Sequence, residues 1–294
     1  VDRWRAADQR STVRQGMASV ANATADAVDR DSLTSGFIRY GLKRVVGTGT
    51  DVILFAGLGH SERTADYWER FGNDKQSVGS NSAFFTAPER TTQLDFGLLR
   101  KSEHGRVSAS LFASNVDDYI LIDTRVMGKP MSTVVTRNVD ATTVGGELEV
   151  ARHFNESWAL ESSLAYTRGT NETDGTALAQ MPPLEARAAL TYTGARFSVG
   201  GLVRWAADQD RIDLGRGNIV GQDVATTDSF TVLSLNGSYR LTRKVSVAMG
   251  VDNLLGETYA EHLSKAGAMV AGYVQSQRIN EAGRTVWLKF DVHP

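Results

Sequence analysis

Apolar and polar residues alternate one by one along most of this chain, the period of a strand with one dry face and one wet face. Near the end, Val286, Leu288, Phe290 and Val292 are interleaved with Trp287, Lys289 and Asp291. Val245, Val247, Met249 and Val251 alternate with Ser246, Ala248, Gly250 and Asp252. The same period runs through Leu233–Tyr239, Ala186–Tyr192, Val144–Val150, Val107–Ala113 and Leu94–Leu98. Helical periodicity is scarce. The alternation predicts about eleven strands, at 35–44, 51–61, 91–101, 106–121, 138–152, 158–168, 184–193, 197–206, 230–240, 245–252 and 284–292, with ends good to about 2–4 residues.

The connections carry more information than the strands. Those at 46–50, 102–105, 153–157, 194–195 and 241–244 are tight, whereas those near 62–90, 122–137, 169–183, 207–229 and 253–283 are long. Short and long alternate throughout. A soluble sandwich has no reason to do this, but a membrane barrel has periplasmic turns that are short and extracellular loops that are long. The expected fold is therefore all-β, an antiparallel transmembrane β-barrel in the bacterial outer membrane. Its last strand follows a long loop and so ends on the periplasmic side. Eleven is an odd count, and bacterial single-chain barrels have an even one. Either a further strand within 12–20 completes a twelve-stranded pore or translocation barrel, or the chain is a fragment. Open sheet edges in lipid are prohibitively costly. Residues 1–34 read as part of an extracellular loop, and 35–294 as barrel.

Composition agrees. Hydrophobic residues make up 41% of the chain, yet none lie in an apolar run long enough for a membrane helix. A net charge of -2 gives no reason to expect nucleic acid as a partner. With 28 Gly and 5 Pro, the chain is poor in the residue that sheet interiors reject. The absence of Cys removes disulfides, Cys-ligated zinc and thiol catalysis together. The start at Val1, without Met or an apolar signal, reads as a chain whose beginning has been processed or truncated. Trp158, Tyr166, Tyr192, Phe197, Trp205, Tyr239 and Trp287 fall near strand ends, where interfacial aromatics gather. Asp95, Glu147, Glu149, Glu185, Arg187 and Lys289 alternate with the apolar set and are expected to point inward.

A family comes into view in longer phrases. "YGLKRVVGTGTDVILFAGLGHSER", then "DYWE", "PERTTQLDFGLLR", "SASLFASNVDDYILID", "VDNLLGETYAEHLSKAG" and "INEAGRTVWLKFDV" together resemble the C-terminal barrel of TonB-dependent receptors. Pro88–Glu89, Asp117–Ile120 and Asp252–Leu254 carry this likeness. Gly57–Glu62 and Tyr259–Leu263 narrow it to the TonB-dependent copper receptors. The resemblance implies the C-terminal half of a 22-stranded barrel. An N-terminal plug domain would fill its lumen, and TonB would act through the N-terminal region. Copper or a copper complex would be the transported ligand, with no resident cofactor. An iron–siderophore receptor of the same fold is the nearest rival.

Copper favours Met and His once Cys is absent. Met127 and Met131, four apart beside Gly128 and Pro130, and His262 with Met269 in the last long loop are the candidate contacts. Ordinary loop residues have the same appearance. His60–Ser61 invites a hydrolase reading, but neighbours on a strand point to opposite faces and G-x-S-x-G is absent. No enzyme is expected. His104 and His153 fall in turns, and His293 is near the end. Gly47, Gly49 and Gly194 form turns rather than phosphate loops. Asp208, Asp210, Asp213, Asp223 and Asp228 load one loop with acid, and a solvated face is expected, since the spacing is not that of a calcium loop.

Overall fold

The computed structural model describes residues 1–15, 18–46, 49–72, 75–125, 133–264 and 278–292. In chain order the strands are β1 (Asp2–Ala7), β2 (Thr12–Gln15), β3 (Ala18–Ala21), β4 (Val28–Leu33), β5 (Gly36–Val45) and β6 (Asp51–Arg63). A short helix α1 (Tyr67–Phe71) precedes β7 (Lys75–Gln76), β8 (Glu89–Ser102), β9 (Gly105–Asp123), β10 (Val134–His153) and β11 (Trp158–Asn171). Then come β12 (Thr176–Ala177), β13 (Glu185–Thr193), β14 (Phe197–Ala206), β15 (Arg216–Gly217), β16 (Phe230–Arg240), β17 (Val245–Asp252) and β18 (Thr285–Val292).

The main path of the sheet runs β18-β17-β16-β14-β13-β11-β10-β9-β8-β6-β5. Every adjacent pair on it is antiparallel. These are the eleven strands that alternation predicts. The additional strand expected within 12–20 does not join them. Thr12–Gln15 and Ala18–Ala21 pair with each other as a separate ribbon. The twelve-stranded reading loses its extra strand, because a short ribbon between polar turns satisfies its own hydrogen bonds. An odd antiparallel path leaves β5 and β18 running in the same direction, so the two edges cannot pair antiparallel with each other.

The sheet is inside out relative to a soluble protein. Cross-strand partners share a face, and the register places Leu42, Leu54, Leu98, Ala109, Leu148 and Leu164 in one row. Met249 and Leu288 pair on the same face. Leu111, Met249 and Leu288 are 65%, 61% and 57% exposed. A continuous apolar face of this extent is far beyond what a soluble monomer shows and marks a lipid contact. Among the described residues no helix is long and apolar enough to cross a membrane. The crossing is made by strands.

Aromatic rings collect where that face meets the tight turns. Trp158 and Tyr192 are cross-strand partners with ring centres 5.1 Å apart, and Tyr192 lies 5.5 Å from Phe197. Phe197 in turn pairs with Tyr239. Trp287 departs from expectation. Its partner is Gly250, its ring lies over that glycine, and it belongs to the opposite, inner face.

Buried apolar residues lie mostly at the far end, among the long connections. β9 and β10 have 19 and 20 residues, roughly twice the 9–11 a crossing needs. Alternation predicts shorter strands because their upper parts turn into a different environment. Val139 pairs with Tyr119, but Ala141 pairs with Val116, so Asp117 and Asp118 oppose Asp140 in a bulge. Asp118 adopts φ 57° there, a left-handed conformation that Asp tolerates. Past the bulge, β10 takes β7 as a parallel neighbour and β9 takes β15 as an antiparallel one. Ile120, Leu121 and Val135 are buried in this upper hairpin, and Val116 and Ala141 pack on Leu178.

Candidate functional site

The site is the inner wall of the sheet together with the roof that the long connections build over it. On the wall, Asp95, Glu147, Glu149, Glu185, Arg187 and Lys289 all lie on the face opposite Leu148 and Leu111, as alternation requires. They are mostly neutralised locally. Arg106 Nη2 donates to Glu149 Oε2 at 3.0 Å, and Arg204 grips Glu185 at 2.6 and 3.0 Å. Arg187 donates to Glu185 at 2.5 Å, and Lys289 lies 2.8 Å from Asp291. A hollow of about 330 Å³ opens among Arg106, Glu149, Glu161 and Arg187. Such a wall suits a wet lumen or a polar partner and would be costly against lipid. Aromatic rings on this face pack over glycines, Phe55 on Gly97 and Phe112 on Gly145.

Three connections interlock above the wall. Asp123, buried at the top of β9, accepts from Arg216 Nε at 2.8 Å and from Arg137 at 3.4 Å. Arg216 also reaches Asp213 at 2.8 Å and Asp174 at 3.1 Å. Arg137 pairs with Asp174, and Arg125 with Asp213. The Arg137 hydrogen bond, working against partial burial, holds the Asp174 carboxyl below its ordinary range.

The acidic loop is only in part the solvated face expected of it: Asp208, Asp210 and Asp228 are exposed, but two of its acids are not. Asp213 and Asp223 are buried. Asp223 accepts from the Gln180 amide N at 3.0 Å, from Gln180 Nε2 at 3.0 Å and from the Asp213 amide N at 2.9 Å. Burial pushes this carboxyl up, but His262, the Asp213 amide and Gln180 outweigh it and the net shift is downward. These two look solvated in sequence because Gln180, His262 and Arg125 reach them from other loops.

His262 is buried in the same junction. Its Nδ1 lies 3.0 Å from Thr227 Oγ1, and its Nε2 3.6 Å from Asp223 Oδ1. Arg278 closes over it, donating to the carbonyls of His262 at 3.0 Å, Thr226 at 3.0 Å and Ala225 at 2.5 Å. Next to it, Glu261 reaches down to Arg204 on the wall, 2.9 Å between Nη2 and Oε2. Tyr259 stacks on Phe230 with ring centres 4.2 Å apart. The other candidate contacts, Met127, Met131 and Met269, lie outside the described residues, as does His293. Among the described residues no group of three or more His, Asp or Glu is placed to hold a metal ion.

The remaining candidates have plain structural settings. His60 lies 2.9 Å from Thr92 Oγ1 and 3.4 Å from Glu62, while Ser61, one residue on, belongs to the other face. The His104 carbonyl accepts from the His153 amide at 2.8 Å, tying two neighbouring turns together. α1 begins with a capping box in which the Asp66 side chain accepts from the Glu69 amide and Glu69 answers the Asp66 amide. Glu69, fully buried, also receives Arg63, which pairs in turn with Glu89. Arg216, Asp123, Asp174, Gln180 and Arg278 are roof residues that sequence reasoning missed. The only available hint was that both "DLGRG" and "YILID" place a charge directly beside a turn or an apolar run.

Residues 19–254 match the family described as TonB dependent receptor-like, beta-barrel. The chain belongs to this family. Among solved structures it is similar to the copper transporter OprC, with 42% identity and a TM-score of 0.88, over 99% of this chain and 44% of that one. The fold is shared more distantly with the ferric-catecholate import receptor Fiu from K12 E. coli, at 17% identity and TM-score 0.64, over 98% of this chain and 40% of that one. It is also shared with the ferripyoverdine receptor of the outer membrane of Pseudomonas aeruginosa, at 14% identity and TM-score 0.62, over 94% and 34%. The chain thus spans less than half the length of these relatives. No curated protein matches it. The family match covers most of the strands on the main path, from β5 to β17.

Proposed function

We propose that this chain supplies wall and roof to a TonB-dependent outer-membrane receptor that takes up copper or a copper complex. The observation that carries the reading is the 42% identity sustained over 99% of the chain with a copper transporter. The fold fits the role. Rigid strands hold the loops, and the loops present the ligand surface. On this reading residues 1–34 and the long connections are extracellular, and β18 ends toward the periplasm. Further strands, each edge receiving an antiparallel neighbour, complete the barrel around a plug domain, and TonB acts through that plug. Unpaired edges would otherwise stand in lipid. Met127, Met131, His262 and Met269 are the proposed contacts for incoming metal. For His262 the nitrogen open to ligation is Nε2, which is buried without a hydrogen-bond partner, while Nδ1 keeps Thr227.

Copper binding, followed by calorimetry and metal analysis on the full-length receptor and on the refolded 294-residue chain, tests this. Binding by the full-length receptor alone supports copper and locates the main site outside these residues. Binding by both directs attention to the three methionines and His262. Binding by neither overturns the copper reading in favour of an iron–siderophore receptor of the same fold.

A further inference from the structure

β4 leads into β5 across Thr34 and Ser35, and β1 pairs with β4 in a two-stranded sheet of its own, so this ribbon continues from the end of β5 remote from the Val46–Thr50 turn. Its register sets Arg3 opposite Ser32, Trp4 opposite Asp31, Arg5 opposite Arg30 and Ala6 opposite Asp29. The two faces differ. Trp4, Asp29 and Asp31 turn inward around Arg70, which is fully buried, 2.6 Å from Asp29 and stacked 4.4 Å from the Trp4 ring centre. The outer face presents Arg3, Arg5 and Arg30, all exposed.

Like charges directly opposite on a ribbon are destabilising, yet Arg5 faces Arg30. Among the described residues none of these three arginines makes an ion pair, whereas the neighbouring Arg10 and Arg70 do. On the outer face of β6, Glu62 accepts from the Thr34 amide at 2.7 Å, at the foot of the ribbon. Three guanidinium groups side by side without an internal partner make a face suited to an external anion. Its height narrows the choice. The outer face of β5 is apolar up to Ile38, which is 71% exposed. Continuing that strand upward at about 3.3 Å per residue, tilted about 40°, puts the arginines roughly 15–20 Å above Ile38. A phospholipid headgroup layer is only about 5–8 Å deep. The arginines stand above it, at the level of the sugars of a glycolipid. Guanidinium groups are suited to phosphate.

We infer that the Arg3–Arg5–Arg30 face binds the phosphorylated sugars of an anionic glycolipid in the outer leaflet, anchoring the wall in its surroundings. The inference requires this end of the molecule to be extracellular but does not depend on copper. The experiment uses the full-length receptor in detergent and rough-type lipopolysaccharide with a phosphorylated core, with binding read by surface plasmon resonance. The triple variant R3Q/R5Q/R30Q is expected to bind at least ten-fold more weakly while keeping the heat-modifiable mobility of the folded barrel. R243Q, at the tight-turn end, is expected to bind as the parent does. Enzymatically dephosphorylated lipopolysaccharide is expected to abolish the difference between parent and triple variant. Equal binding by parent and triple variant overturns the inference. So does a difference that survives dephosphorylation, or competition by inorganic phosphate at concentrations matching the glycolipid phosphate. Labelling of D26C by an impermeant maleimide on intact cells checks the orientation separately. A silent D26C overturns the placement, and a labelled D26C with unchanged binding overturns the glycolipid site alone.

Discussion

At the residue scale, the roof depends on a few buried carboxylates whose bonds reach across loops. Asp223 is the most connected, with three donors from Gln180 and Asp213 and His262 alongside. Hydrogen bonds to a charged group are worth about 1.5–3 kcal/mol each when a partner is removed. Asp223→Asn is therefore expected to expose the 207–229 and 178–182 amides to hydrogen exchange while the sheet remains protected. Acid should act in the same direction. The folded Asp223 carboxyl is held below its ordinary value, so its contribution is present above the unfolded pKa, about 3.9. That contribution is lost as pH falls through the lower folded value. Asp8 has the same sign, because Arg10, Asn22 and Thr24 outweigh its burial. Asp31 has the opposite sign, since burial and then Asp29 raise it. The 207–229 loop thus gives the cleaner readout. Its protection is expected to hold to about pH 4 and to fall below that, and a profile flat to pH 2 would remove Asp223 from this role. On the wall, a Cβ at Gly97 would meet the Phe55 ring at 2.1 Å. Gly97→Val is expected to cost about 1–3 kcal/mol by overpacking, seen as a lower urea midpoint in micelles, with F55A restoring most of it.

At the scale of elements, the β9–β10 hairpin organises the roof. Its bulge at Asp117–Asp118 re-aims the strands above the rim, and there β7 and β15 cap both of its edges. This manages exposed strand edges, which would otherwise invite pairing with other chains. β15 has only two residues, too few to stay paired by backbone bonds alone. Arg216 holds it through Asp123, Asp213 and Asp174. Arg216→Gln is expected to release the 207–229 connection, so that limited proteolysis cuts there at least ten times faster than in the parent. Unchanged cleavage would show that Gln180 and Asp223 suffice to hold it.

At the scale of the whole molecule, the two faces of one strand predict opposite responses to the same substitution. Leu148 lies on the apolar face and Glu147 on the polar one. Leu148→Arg is expected to cost about 2–4 kcal/mol of folding free energy, since a cation near the bilayer midplane has no water. Glu147→Arg, one residue away, is expected to stay within about 0.5 kcal/mol. Folding equilibria in lipid vesicles compare the two directly. Equal costs would mean that this face does not meet lipid.

The sequence alone determined the eleven strands, which face of each is apolar, and the rhythm of short and long connections. Those properties are local, because side chains alternate with a period of two whatever the rest of the chain does. It also indicated the inner carboxylates and arginines of the wall, by the same alternation. Only the tertiary structure decided what the long connections do. Asp213 and Asp223 look like solvated loop acids until Arg125, Gln180 and His262 arrive from other loops, and Trp287 looks like an interfacial ring until Gly250 makes room for it on the inner face. The ribbon at 12–21 looks like one more wall strand until it folds on itself. Such contacts join residues far apart in the chain, and no periodicity records which distant partner will satisfy a buried charge.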